Sequence, residues 1–180
     1  RRVRRAMEVV GLPYEEFAER SPFELSGGEK RRAAIAGVIA MEPEILVLDE
    51  PVAGLDPVGR REILALVRKL HEEVSPTVIM VSHYMDDIAE MADRIVALKD
   101  GRVVADGSPA EVFGAREKLA EAGLSLPTAA RIADKLAARG IVLPRTIVTP
   151  VALADALAEL KAKRAEKESE DREGEEEKDV

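Results

Sequence analysis

The sequence predicts an α/β fold with parallel strands, on three observations. Two short apolar runs, Ile45 to Leu48 and Thr77 to Ser82, have the length and composition of strands. Between them, from Pro57 to about Val74, apolar residues recur at helical spacing: Ile63, Leu66, Val67, Leu70 and Val74. A strand, a helix and a strand of these lengths form a crossover unit, whose strands lie parallel and are joined with a right-handed turn. Because each run is unbroken rather than alternating, both strands are expected to be covered on both faces.

The remaining elements follow in chain order. Arg1 to about Glu19 reads as helix, stopping at Gly11 and restarting at Tyr14. After the loop "RSPFE", Ser26 and Glu29 fit a capping box, in which a serine oxygen and a glutamate three residues on satisfy each other's amides. Ile35, Val38 and Ile39 then supply an apolar stripe. Beyond the second strand, a short helix is expected from Tyr84 to about Ala92. "RIVALKDGRVVAD" reads as a hairpin, with Asp100-Gly101 at its turn. Ser108, Pro109 and Glu111 mark another helix start, and further helices are expected over Thr128 to Arg139 and Thr149 to about Lys163.

Composition narrows the class of protein. The chain has 180 residues and a net charge of −8, and the acidic balance argues against a nucleic-acid partner, which needs a basic field. From Lys161 to Val180 nine acidic residues face six basic ones, so the tail holds −3 of that charge. With almost nothing to bury, residues 164–180 are expected to form a charged, disordered tail. No apolar run approaches the ~18–20 residues that cross a bilayer, and no signal peptide is visible. The opening "RRVRRAMEVVGL" lacks an initiator Met and reads as the middle of an amphipathic helix, so a longer protein is expected to begin upstream. Cysteine is absent, which excludes disulfides and thiolate metal sites. Asn and Gln are absent too, as expected of a thermophile protein avoiding heat-labile side chains.

Three local features carry candidate chemistry. Asp49-Glu50 closes the first strand, and the carboxyl edge of a parallel sheet is where ligands bind. Adjacent carboxylates there can orient hydrated Mg²⁺ and polarise a water, or simply shape a turn. His83 ends the second strand on the same edge, where an imidazole can meet a phosphate or serve the core; His71, beside Glu72 and Glu73, reads as solvated. Ser26, Gly27 and Gly28 open a helix whose unpaired amides attract anions. A capping serine needs no ligand, however, and Glu29 is itself an anion there. "GLDPVGRR" has the glycine spacing of a phosphate-binding P-loop but ends in Arg60-Arg61, without the lysine and the hydroxyl. No other segment carries that pattern.

Taken in order, "LSGGE", "ILVLDEP", "GLDP" and "VSH" resemble the ATP-binding-cassette (ABC) ATPases in sequence and spacing, from Arg1 to about Asp106. The resemblance implies that Leu25, Ser26, Gly27, Gly28 and Glu29 form the signature loop, that Asp49 is the Walker B carboxylate near Mg²⁺ and that Glu50 is the general base. It implies further that Ala53 to Asp56 form the D-loop, with Asp56 at the nucleotide, and that His83 is the switch histidine. In that family two domains sandwich two ATP molecules, and one domain's signature caps the phosphate held in the other's P-loop. The chain departs from the pattern in having Glu29 where Gln is usual, and in having neither a P-loop nor a glutamine-bearing loop. The implied fold is the C-terminal portion of a P-loop NTPase core. Its parts are residues 1–41 from the helical subdomain, 42–107 from the nucleotide-binding core, 108–163 a helical extension and 164–180 the tail. These residues alone are expected not to hydrolyse ATP.

The helical extension, with "DGSPAEVF" and "TPVALADAL", is similar to the C-terminal region of energy-coupling-factor and cobalt-type importer ATPases. That resemblance implies a peripheral subunit on the cytoplasmic face of the membrane. Its implied partners are a second ABC ATPase copy or paralogue, a transmembrane coupling protein and a membrane subunit that binds a vitamin or a metal ion. Two alternatives stand beside it: the ATPase head of a DNA-repair or chromosome-maintenance protein, and a non-catalytic interaction fragment.

Overall fold

The structure is a computed structural model that describes residues 1–74 and 77–176, with side chains as far as residue 163. The chain divides into two compact units, Arg1–His83 and Tyr84–Val180. This division falls inside the segment 42–107 that the sequence reading treats as one piece.

In the first unit, helices α1 (Arg2–Val9) and α2 (Tyr14–Phe17) lead to a 3₁₀ turn at Pro22–Glu24 and then to α3 (Gly27–Ile39). Helix α1 packs on α3, and Ala6, Val10, Leu12, Ile35, Ala36 and Ile39 are buried. The expected stripe on α3 is corrected at Val38, which is 40% exposed. At about 100° per residue, Ile35, Ala36 and Ile39 share one arc and Val38 lies about 110° from its centre. Ala36, too small to stand out by hydrophobicity, takes the buried place instead.

Strand β1 (Ile45–Asp49), helix α4 (Pro57–Glu73) and strand β2 (Thr77–Val81) form the expected crossover. The strands are parallel, with Leu46 beside Val78, Leu48 beside Met80 and Asp49 beside Val81. Helix α4 buries Ile63, Leu66, Val67 and Leu70. The expectation of strands covered on both faces is corrected. Leu46 and Leu48 are buried, but Val47 is 60% and Ile79 49% exposed. Side chains alternate across a strand, and among the described residues this two-stranded sheet is covered on one face.

The second unit starts with α5 (Met85–Met91) and the antiparallel hairpin of β3 (Ile95–Lys99) and β4 (Arg102–Gly107). Its turn is where the sequence places it, with Asp100 at φ 50° and Gly101 at φ 71°, the twist a two-residue hairpin turn requires. Helices α6 (Pro109–Gly114) and α7 (Arg116–Ala122) enclose a core of Ala89, Ile95, Val112, Phe113, Leu119 and Val148. The predicted Ser108/Glu111 box caps α6. Helices α8 (Thr128–Ala137) and α9 (Pro150–Glu176) share a smaller core of Ala129, Ala133, Leu143, Ile147 and Leu153. Helix α9 continues beyond the end expected near Lys163, as far as Glu176. Glu, Lys, Arg and Ala dominate that stretch, and all are good helix formers that need no core. Residues 177–180 of the expected tail lie outside the described residues.

Candidate active site

The carboxyl ends of β1 and β2 bring the first group of candidates together. The parallel register sets Asp49 beside Val81, so Glu50 and His83 both follow the same sheet edge. Glu50 turns sharply there, at φ 46°, while its amide still donates to the Val81 carbonyl at 2.9 Å. A left-handed conformation at a residue with a side chain costs on the order of 1 kcal/mol or more, and such strain concentrates at functional sites. Its effect here is to bring Glu50 Oε1 to 2.7 Å from His83 Nδ1. The His83 side chain is largely exposed and the Glu50 side chain mostly covered. Against an ionised carboxylate, Nδ1–H is the donor, and this orients the ring.

The second Glu50 oxygen, Oε2, is buried with no hydrogen-bond partner among the described residues. A buried carboxylate oxygen without a donor is costly and marks a place where a water or ligand belongs. Asp49 is exposed beside it. Among the described residues no group of three or more His, Asp or Glu side chains forms a metal cage. Mg²⁺ needs no such cage, since it keeps several waters and takes one or two carboxylates together with phosphate oxygens. The pair Asp49 and Glu50 fits such a hydrated ion.

The second group stands at the start of α3. Ser26 Oγ accepts from the Glu29 amide at 3.3 Å, and Glu29 Oε2 accepts from the Ser26 amide at 2.7 Å, so the predicted capping box is closed in both directions. The Ser26 amide hydrogen bond, then the Ser26 side chain, and at longer range Arg20 and Arg32, hold the Glu29 carboxyl below its ordinary value. A Cβ built on Gly27 or Gly28 would meet nothing within 4 Å, so packing among the described residues does not demand glycine at either position. The half-buried Leu25 precedes this loop. A second box, Ser21 with Glu24, closes the 3₁₀ turn just before it. The sequence reading missed this box, although the S-x-x-E spacing of "SPFE" signals it.

Asp56 caps α4, its Oδ1 accepting from the amides of Val58 at 2.9 Å and Gly59 at 2.7 Å, with Pro57 at the first helical position. The Ser26–Glu29 box and the Glu50–His83 pair thus form separate clusters. Arg31 on α3 reaches between their surroundings, donating to the carbonyl of Ala53, in the loop after Glu50, at 3.2 Å. No pattern in the sequence marks that contact.

Residues 1–53 match the family model described as ABC transporter. The chain carries ABC transporter ATPase domain sequence. It is 50% identical over 160 residues to the energy-coupling factor transporter ATP-binding protein EcfA2 of Clostridium perfringens, covering 89% of this chain and 56% of that protein. It is likewise 50% identical to EcfA1 of Symbiobacterium thermophilum, over 88% of this chain and 54% of the relative. Among solved structures it is similar to cbiO1 of Clostridium perfringens, part of the ABC transporter complex cbiONQ, at 39% identity and a TM-score of 0.59. That match covers 76% of this chain and 52% of cbiO1. The chain therefore spans about half the length of the curated relatives it matches.

Proposed function

We propose that this chain supplies the phosphate-capping lid and the reactive carboxylate of an ATP-hydrolysing subunit in an energy-coupling-factor type importer. The observation that carries the reading is the Glu50–His83 contact of 2.7 Å at the carboxyl edge of a parallel strand pair, with Glu50 Oε2 buried beside it and without a hydrogen-bond partner among the described residues. Glu50 orients a water and draws its proton as the water attacks the terminal phosphate of ATP. His83 holds the Glu50 carboxylate in place and contacts the terminal phosphate. Asp49 holds the hydration shell of Mg²⁺. When bound, that ion neutralises phosphate charge. Leu25 to Glu29 and Asp56 face the nucleotide of a partner, and the amides of Gly27 and Gly28 cap its terminal phosphate. Catalysis of this kind is mainly positioning and charge stabilisation.

Because these 180 residues contain no P-loop pattern, the phosphate cradle comes from another segment or another subunit. The partners of this reading are a second ABC ATPase subunit, identical or paralogous, a transmembrane coupling protein and a membrane subunit that selects a vitamin or a metal ion. The ATPase then works at the cytoplasmic face of the membrane, without a nucleic-acid partner. The names of the relatives support this assignment, as does the cbiONQ complex to which cbiO1 belongs. Glu50→Gln in the intact ATPase is expected to abolish turnover while ATP still binds. Wild-type turnover in that variant would end the reading.

A further inference from the structure

Three cations in a row, Lys30, Arg31 and Arg32, stand close behind the N-terminus of α3. The helix dipole favours anions at that end, so these residues gain nothing from it. Two of them have work elsewhere. Arg32 donates to the Val10 carbonyl at 3.3 Å and pairs with Glu62, which ties α3 to the end of α1 and to α4. Arg31 reaches the loop between β1 and α4, where its Nη2 donates to the Ala53 carbonyl in a partly buried hydrogen bond.

That loop joins the candidate general base to Asp56. It is pinned at one end by the Glu50 amide on Val81 and at the other by Asp56 capping α4. In its middle Val52 is buried, the Ala53 amide donates to the Glu50 carbonyl at 3.1 Å, and Gly54 turns at φ 74°. The Ala53 carbonyl accepts from Arg31 at the residue just before this turn. The same residue is thus tied through its amide to the Glu50 carbonyl, next to a backbone held in a strained conformation.

We propose that Arg31 is a positioning residue. It holds the Glu50-to-Asp56 loop against the signature helix, so that the lid at Ser26–Gly28 and the carboxylate of Glu50 keep a fixed relation through the reaction. The inference rests on the function proposed above and adds a residue that touches neither phosphate nor water. Arginine suits the task because its planar fork is pre-organised and loses little freedom per hydrogen bond.

The test uses the intact ATPase with Arg31→Ala, Arg31→Lys and, as a control for charge on the same helix, Lys30→Ala. Turnover is expressed per active site, counted by trapped nucleotide, so that loss of folded protein does not register as loss of rate. Arg31→Ala is expected to lower kcat between about ten- and a hundredfold, with KM for ATP within about twofold. Arg31→Lys, whose ammonium can still donate to a carbonyl, should recover much of the rate, and Lys30→Ala should match wild type. Amides of residues 52–55 should exchange faster in Arg31→Ala while those of β1 do not. Wild-type kcat per site in Arg31→Ala, or an equal loss in Lys30→Ala, overturns the inference. Glu50→Gln in the same preparation separates the two readings. If it is inactive while Arg31→Ala is normal, only the role of Arg31 is lost; if it is active, the proposed function itself fails.

Discussion

His83 Nδ1 and Glu50 Oε1 meet at 2.7 Å across 33 residues of sequence. The contact joins the two strand ends of a parallel pair, and it exists because Glu50 adopts a positive φ directly after β1. An imidazole in this position sets the direction of the carboxylate. His83→Ala should therefore lower ATP turnover in the intact ATPase by about 10²-fold or more, with little change in ATP affinity. Rapid-quench kinetics beside equilibrium nucleotide binding would read both quantities, and a parallel loss of binding would count against a positioning role.

Glu29 places a carboxylate where a phosphate is proposed to be capped. In Glu29→Gln the side-chain carbonyl can still accept from the Ser26 amide, so the box closes as before without the charge. Closure of the paired ATPases, followed by a distance probe with a non-hydrolysable ATP analogue, should then need about two- to fivefold less nucleotide. The gap should narrow at high salt as the repulsion is screened. An equal requirement at low salt would show that the carboxylate does not oppose the nucleotide.

Asp56 offers a way to separate fold from function. Its Oδ1 satisfies two amides of α4, so Asp56→Ala should cost about 1–2 kcal/mol of stability in chemical denaturation. Asp56→Asn keeps the cap. If Asp56 also serves the nucleotide, the Asn variant should melt like wild type yet turn over ATP more slowly; normal turnover would leave it a cap alone.

The acid limb of stability has a definite sign. Glu29, Glu111, Glu117 and Asp106 all have carboxyls below their ordinary values. For Glu29 and Glu111 the leading cause is a serine amide at a helix start; for Glu117 it is its own backbone amide, followed by Arg145; for Asp106 it is Arg94. A lowered folded-state pKa gives stability that is present above the unfolded value, near 4.5 for glutamate and 3.8 for aspartate, and lost as pH falls through the folded value. Urea midpoints should accordingly hold steady from neutrality to about pH 5 and drop below that. Replacing both Glu29 and Glu111 with Gln should flatten the drop; an unchanged slope would remove these boxes from the acid response.

Much of this molecule could be read along the chain. The crossover of β1, α4 and β2, the boxes at Ser26/Glu29 and Ser108/Glu111, and the Asp100-Gly101 turn all appear where the residues place them. The order of the "LSGGE", "LDEP", "GLDP" and "VSH" segments carried the family. Hydrophobicity misled where it stood in for geometry: at Val38, which faces outward, and at Val47 and Ile79, about half or more exposed.

The division has a physical cause. Caps, turns and helical stripes depend on partners three or four residues apart, so the chain alone determined the kinds of element, their starts and the residue types at the candidate site. The meeting of Glu50 with His83 and the reach of Arg31 to Ala53 join residues 33 and 22 positions apart. They follow from strand register, a left-handed turn and side-chain length acting together. Only the tertiary structure decided which of the candidate groups touch.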